Sequence, residues 1–403
     1  MTELLNLGEL YVSDFLKPDE QPRCGKHELK LYLDEYGTAR LGGQPPLDTM
    51  WGKYWYRSGI NATMRKALAD IVDSICSIRE VGAGHLWLDI ASNDGTLLSF
   101  VPQGAIKVGI DPADDSFKKE AEVYADLIIQ DYFSADAYLK SKVGSLKADI
   151  VTSIAMFYDV ENRDKFLDDV YQVMDDNGLW VLQLSYTPLM LEQNAFDNIC
   201  HEHVYYYSLF NLRRLFRDHG FKIMDCQLND VNGGSFRVYA MKNVGDESLF
   251  GTQPYRDICH FRVHSLLTYE ERLDLDSPYV WRGFSGDVDE LRETTTTFIK
   301  SAVKKGKTVM GYGASTKGNT LLQYFGLDNT LIAAIAERSP AKYGLRTVGT
   351  NIPIISEEEM REAHPDYLLV LPWHFISEFK KREADYLQKG GHFIVPCPKF
   401  EII

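Results

Sequence analysis

The sequence predicts an α/β protein: a central doubly wound, Rossmann-like domain, a C-terminal Rossmann-like α/β domain and a small N-terminal module. Two observations carry this. Strand-length apolar runs alternate with helix-length stretches from Leu86 onward and again from Thr308, the pattern of a parallel sheet covered by helices on both faces. Each series also opens on a strand that runs into a turn of small residues, Asp89-Ile90-Ala91-Ser92-Asn93-Asp94-Gly95 in the first and Gly311-Tyr312-Gly313-Ala314-Ser315-Thr316-Lys317-Gly318-Asn319 in the second. At 403 residues the chain is too long for one ordinary core, and the expected boundaries are 1–75, 76–245 and 246–403.

In the N-terminal module, strands are expected at Leu29–Leu33 and Ala39–Leu41, before the aromatic segment Trp51-Gly52-Lys53-Tyr54-Trp55-Tyr56-Arg57-Ser58-Gly59. Met64, Leu68, Ile71, Val72 and Ile75 recur at helical spacing, which predicts a helix from Asn61 to Ile78. The central series then reads as strands Leu86–Ile90, Lys107–Asp111, Leu127–Ile129, Ala148–Ile154 and Leu179–Leu184. A helix opens at Thr96–Phe100, and another over Arg163–Met174 is closed by Asp175-Asp176-Asn177-Gly178. A helix over Phe210–His219 and an antiparallel pair, Phe221–Cys226 with Ser235–Lys242, complete it. Residues 246–285 have no clean period and read as a connector to a helix over Val288–Lys304. The second series adds strands Thr308–Tyr312, Leu331–Ala336, Tyr367–Leu371 and His392–Val395, with a helix at Asn319–Phe325.

A formal charge of −15 argues against nucleic acid or an anionic membrane as partner. Met1-Thr2-Glu3-Leu4-Leu5 has an acid where a signal peptide needs basic residues, and no apolar run approaches about twenty residues. Six scattered cysteines suit a reducing, cytoplasmic setting without a disulfide framework. Oligomeric state is not readable.

A dinucleotide turn needs three spaced glycines to let backbone amides approach a pyrophosphate. The first turn has one glycine and two acids, which repel phosphates and suit a cofactor with a positive centre, S-adenosylmethionine. Asp89, Ala91, Ser92, Asn93, Asp94 and Gly95 are the expected contacts, with Gly95 letting the backbone pass close to the ligand. Asp111 is placed for the ribose hydroxyls, and Asp131 for the adenine. The second turn puts glycines, hydroxyls and a lysine at a helix N-terminus, an anion cradle suited to a nucleotide diphosphate. Its candidates are Gly313, Ser315, Lys317 and Asn319, with Glu337 as ribose partner; Tyr56, Ser58 and Arg65 are further phosphate or nucleotide contacts.

Cys200-His201-Glu202-His203 puts two imidazoles and a carboxylate beside Tyr205-Tyr206-Tyr207. Imidazole exchanges protons near neutral pH. The histidines are two apart rather than four, so this is not the zinc-protease pattern. In an extended segment His201 and His203 share one side. No further ligand stands at metal spacing, and no metal is expected.

Taken in order, these motifs resemble the bacterial nucleotide-sugar C-methyltransferases that build branched deoxysugars, over nearly the whole chain. The resemblance rests on Tyr56-Arg57-Ser58-Gly59 with Thr63-Met64-Arg65, Ser92-Asn93-Asp94-Gly95 and His201-Glu202-His203. It continues through Gly233-Gly234-Ser235 with Arg237, Gly311–Asn319, and Leu371-Pro372-Trp373-His374-Phe375. It implies an N-terminal zinc module, a central S-adenosylmethionine domain of methyltransferase type and a C-terminal domain helping to hold the nucleotide of a 4-keto sugar. It also implies His203 as the base, with Glu202 and His201 orienting it or handling protons on the keto oxygen. Two departures stand: only Cys24 occurs in the first seventy residues, so a four-cysteine zinc site cannot form, and Cys200 takes the place of a tyrosine.

The chemistry expected is carbon methylation next to a keto group, with His203 removing the α-proton and Tyr186, Tyr205 or Tyr207 steadying the enolate. O-methylation of a similar substrate, a nicotinamide-dependent oxidoreductase using Gly311–Gly318, and a catalytically inert assembly protein are the alternatives.

Overall fold

Why the first series folds as it does is visible in its middle strand. Leu86–Ile90 is buried along its whole length, as a strand covered on both faces must be. In the computed structural model, which describes residues 2–46, Met50 and 56–403, it sits centrally in a seven-stranded sheet. The order across that sheet is Phe221–Asn229, Ser235–Lys242, Met174–Ser185, Ala148–Ile154, Leu86–Ile90, Ile106–Ile110, Leu127–Ile129. Six strands run in one direction, and Ser235–Lys242 alone is reversed, pairing antiparallel with both neighbours. The order doubles back beside Leu86–Ile90, so the crevice at its carboxyl end is a topological switch point, where open α/β sheets take ligands. The doubly wound expectation is thereby met, reversed strand included.

This sheet belongs to one compact unit, residues 51–187 and 204–274. Its helix Ala62–Ile78 starts at Asn61, whose side chain accepts from Thr63 N. That helix buries Leu68, Ile71, Val72, Ile75 and Ile78. Two expectations are corrected here. Residues 96–100 form turns rather than a helix, and the supposed connector contains a long helix, Gln253–Leu273. Arg262 on that helix grips the fully buried Asp225 through Nε at 2.8 Å, in the strand Phe221–Asn229.

The second unit comprises residues 1–50, 188–203 and 275–403. Packing thus joins the N-terminal residues and the histidine segment to the C-terminal series, a grouping that differs from the three consecutive stretches expected. Its main sheet runs Ile354–Ser356, Ile335–Glu337, Val309–Tyr312, Tyr367–Val370, His392–Val395, Glu401–Ile402, parallel except for the last strand. Here too the order reverses at the first strand, Val309–Tyr312. The helix Pro278–Lys304, capped by Ser277 and longer than expected, buries Trp281, Phe284, Val288 and Ile299.

The N-terminal residues supply an antiparallel trio, Thr2–Leu10 with His27–Leu33 and Ala39–Leu41. Phe15–Leu16 pairs with Arg346–Thr347. Asn319 Nδ2 donates to Ser13 Oγ at 2.8 Å and to the Asp14 carbonyl at 3.1 Å, which fixes this segment on the helix Thr316–Phe325. The aromatic run Trp51-Gly52-Lys53-Tyr54-Trp55 lies outside the described residues.

Candidate active site

The turn after Leu86–Ile90 is a sharp bend made with one glycine. Ala91, Asn93 and Gly95 all hold positive φ, at 58°, 52° and 76°. This conformation costs L-residues free energy but lets the chain reverse sharply. Asp111, ending the next strand, braces the bend: Oδ2 accepts from Asn93 N and Oδ1 from Ala113 N, both at 2.8 Å. Burial raises its pKa.

Asp94 accepts Gly59 N at 2.8 Å and the Thr96 hydroxyl at 2.6 Å. Asp89 is buried, accepts the Thr152 hydroxyl at 2.6 Å, and is pushed by that burial to a pKa of about 7. Both acids of the turn, expected to suit a positively charged cofactor, thus also serve the protein's own donors. Gly95 also has a packing reason, since a Cβ there would lie 2.7 Å from Ala121 Cα.

The residues still fit an adenosyl cofactor. Asp111 keeps a half-exposed carboxylate at the second strand's end, and Ser92 Oγ is buried with no hydrogen-bond partner among the described residues. Asn93 also ties down the preceding segment, donating to the Tyr56 carbonyl at 3.0 Å and accepting from Ser58 N at 3.1 Å. Tyr56 and Ser58 thus meet the cofactor turn, while the Arg65 guanidinium lies over Phe100, 5.4 Å from the ring centre. Asp131 is exposed and accepts from Tyr132 N.

The histidine run is folded as a turn, closed by His203 N donating to Cys200 O at 3.2 Å. The predicted shared face of His201 and His203 is therefore corrected. His201 is 2% exposed, with Nε2 at 3.2 Å from the His27 carbonyl, and burial lowers its pKa to about 4. That is a structural position. His203 turns instead to its own loop, with Nδ1 2.7 Å from the Asn198 carbonyl. A carbonyl only accepts, so Nδ1 carries the hydrogen and Nε2 the lone pair.

Burial first, and Lys317 next, press the His203 pKa down to about 3. The Glu202 pKa is raised by burial, against the pull of its own backbone N–H and of the Cys200 thiol hydrogen-bonded to it. Among the described residues no group of three or more His, Cys, Asp or Glu is arranged to hold a metal.

The second glycine turn supplies the neighbours of this loop. Gly313 has φ +84°, and a Cβ on it would lie 2.7 Å from Pro372. That closeness sets the turn against Leu371-Pro372-Trp373-His374 at the end of the next strand across. Trp373 Nε1 donates to the buried Asp197 at 3.1 Å. Phe196 stacks on Phe325 at 5.2 Å, holding the loop on the helix Thr316–Phe325. Lys317 emerges from the first turn of that helix within electrostatic reach of Asp197, Cys200, His203 and His374. Burial lowers its pKa and Asp197 opposes the shift.

Structure thus brings Lys317 within electrostatic reach of His203, with Glu202 the next residue in the same turn. Other candidates are spent elsewhere: Ser315 caps its helix by accepting from Gly318 N, Asn319 holds Ser13 and Asp14, and Glu337 accepts from Ala314 N and Ser339 N. Tyr186 is corrected as a proton donor to substrate. It lies in the other unit and gives its hydroxyl to Glu270 at 2.7 Å, a carboxylate that also takes the N–H groups of Leu209 and Phe210. Tyr205 likewise donates to the Glu161 carbonyl. Sequence reasoning missed Asp197, Asn198 and His374. The first two stand a few residues before the histidines and the third lies in a motif already singled out, so proximity to those motifs was the available signal.

Comparison with known proteins matches both halves. Residues 60–225 fit the family profile described as a methyltransferase domain, and residues 230–398 the profile described as a C-methyltransferase C-terminal domain. The C-methyltransferase NovU of Streptomyces niveus is 30% identical over 362 residues, 88% of this chain and 82% of that protein. Among solved structures, the magnesium protoporphyrin IX methyltransferase of Synechocystis PCC 6803 with bound SAH is similar over 48% of this chain and 90% of its own, at 15% identity and a TM-score of 0.36. A 1,6-didemethyltoxoflavin-N1-methyltransferase of Burkholderia thailandensis is similar over 53% and 98%, at 12% identity and 0.35. The protein is a methyltransferase. With both profiles in chain order and a relative aligned over most of each sequence, the chain belongs to the C-methyltransferase family.

Proposed function

We propose that the enzyme methylates the carbon next to the keto group of a nucleotide-linked 4-keto sugar, through an enolate that His203 generates. One observation carries this reading: the half-buried imidazole has its Nδ1 engaged by the Asn198 carbonyl at 2.7 Å. A histidine so held keeps Nε2 as the proton acceptor and, with a pKa of about 3, stays unprotonated at neutral pH. Carbon is not nucleophilic until its proton is removed, so a C-methyltransferase needs such a base. S-adenosylmethionine supplies an electrophilic methyl group on a sulfonium, and the turn at 91–95 with Asp111 would hold it.

The sugar assignment draws on a second feature. Asp197 Oδ1, Asn198 Oδ1 and Glu202 Oε2 are buried acceptors with no hydrogen-bond partner among the described residues. Buried acceptors of this kind call for donors, and sugar hydroxyls are donors. The glycine turn at Gly313 gives the nucleotide's phosphates a backbone to approach, as expected for an anion cradle.

The test is proton exchange. Thymidine-diphosphate 4-keto-6-deoxyglucose incubated in heavy water, without the methyl donor, should take up deuterium next to the ketone. His203→Ala should slow that uptake by about 10²–10⁴-fold. A methyl ether as product, with no uptake by the wild-type enzyme, would overturn the reading in favour of O-methylation.

A further inference from the structure

We infer that Lys317 is a second catalytic residue, its ammonium stabilising the enolate oxygen formed when His203 takes the α-proton. The inference deepens the enolate reading above and rests on it. The sequence alone placed Lys317 in an anion cradle for phosphates. In the structure it is the second residue of the helix Thr316–Phe325, and three contacts bind that helix and its turn to the His203 loop. Gly313 is pressed against Pro372 and Gly318 against Leu371, with added Cβ atoms 2.7 and 2.9 Å away. The next residue on, Trp373, holds Asp197 at 3.1 Å. Phe196 stacks on Phe325 at 5.2 Å. Asn198, in the same short helical turn as Asp197, fixes His203. Base and ammonium therefore share the crevice at the switch point of the second sheet.

An ammonium beside a general base is a handicap unless an anion forms between them. Protonating His203 next to Lys317 sets two positive charges together in a poorly solvated site. Their repulsion opposes proton transfer. Enolisation changes the balance. The C–H electron pair becomes the new carbon–carbon π bond, the carbonyl π pair moves to oxygen, and the proton goes to His203 Nε2. One negative charge then appears as one positive charge does, and Lys317 stabilises the oxygen that carries it. Such fixed charge aimed at a developing oxyanion is a large catalytic contribution in a water-poor site. Asp197, buried and held by Trp373, attracts the ammonium and keeps it in this crevice.

A lysine that holds a diphosphate and one that holds an enolate differ in what they leave intact. Deuterium uptake into thymidine-diphosphate 4-keto-6-deoxyglucose should be measured at saturating substrate, without methyl donor, for the wild type, Lys317→Met, Lys317→Gln and Lys317→Arg. Binding should be followed by calorimetry and folding by thermal melting. The expected result is an uptake rate at saturation lower by about 10²–10³-fold in the neutral variants. Affinity should change less than the rate, and Lys317→Arg should recover part of it. Weakened binding with a wild-type rate at saturation would assign Lys317 to the phosphates and overturn the inference while leaving the enolate reading intact. Absence of uptake in the wild type would remove both. Whichever neutral variant melts cooperatively serves for the comparison.

Discussion

The two strand-turn crevices of this chain are braced in the same way and equipped differently. After Leu86–Ile90, Asp111 at the end of the second strand accepts from Asn93 N in the first turn and from Ala113 N two residues beyond itself. After Val309–Tyr312, Glu337 at the corresponding place accepts from Ala314 N and Ser339 N. An acid at that position therefore serves first to close the bend, whatever the crevice goes on to bind. The surroundings separate the two. The first crevice has three left-handed residues and a buried carboxyl, Asp89, whose pKa stands near 7. The second has an ammonium and two half-buried imidazoles, His203 and His374, each lowered to about 3 by desolvation and by Lys317.

The largest test of this contrast concerns Asp89. Its pKa is raised from 3.8 to about 7, chiefly by burial, with Asp111 adding to the shift against the Thr152 hydrogen bond. A raised folded-state value means that its contribution to stability is full below about pH 4 and lost as pH rises through 7. Relative to Asp89→Asn, the wild type should lose up to about 4 kcal/mol between those limits, at ~1.4 kcal/mol per pKa unit. Urea unfolding at pH 4.5 and 7.5, followed by tryptophan fluorescence, measures this. Parallel pH dependence in both proteins would mean that the carboxyl behaves as it does in water.

Next in size is the pair of braces. Asp111→Asn should weaken S-adenosylhomocysteine binding by about ten- to a hundredfold, the loss of one charge-assisted hydrogen bond of roughly 1.5–3 kcal/mol. Glu337→Gln should leave that affinity unchanged. Calorimetric titration decides, and equal losses in the two variants would erase the division of labour.

The smallest effect is expected at Ala91. At φ 58° it bears a left-handed strain of about 1–2 kcal/mol, which glycine relieves at some cost in chain entropy. Ala91→Gly should raise the melting temperature by a few degrees, about 1 kcal/mol at most. A lower melting temperature would show that the bend depends on the methyl group.

Much of the framework was readable from the chain. Leu86–Ile90, Leu127–Ile129, Ala148–Ile154, Ser235–Lys242 and His392–Val395 occur at the residues expected, because short apolar runs bounded by turn formers leave little freedom. The helix Gln253–Leu273 was not readable. It buries only Cys259, Leu267 and Glu270 and leaves Ile258 and Phe261 exposed, so it has no clear apolar stripe. The strand Thr2–Leu10 escaped because two register shifts interrupt its alternation. At the site, the histidines were found and their arrangement was not: a turn closed by Cys200 O sends His201 to His27 and His203 to Asn198.

By itself the sequence determined the two α/β series, the places of their turns and the kinds of side chain brought to them. Those follow from local spacing and apolar periodicity, which act over a few residues. Only tertiary structure decided that Asp89 and Asp94 serve Thr152, Thr96 and Gly59, that Lys317 stands with His203, and which nitrogen of that histidine keeps the proton. Protonation, charge pairing and hydrogen-bond choice depend on burial and on partners far along the chain, and those exist only once the sheets have formed and packed.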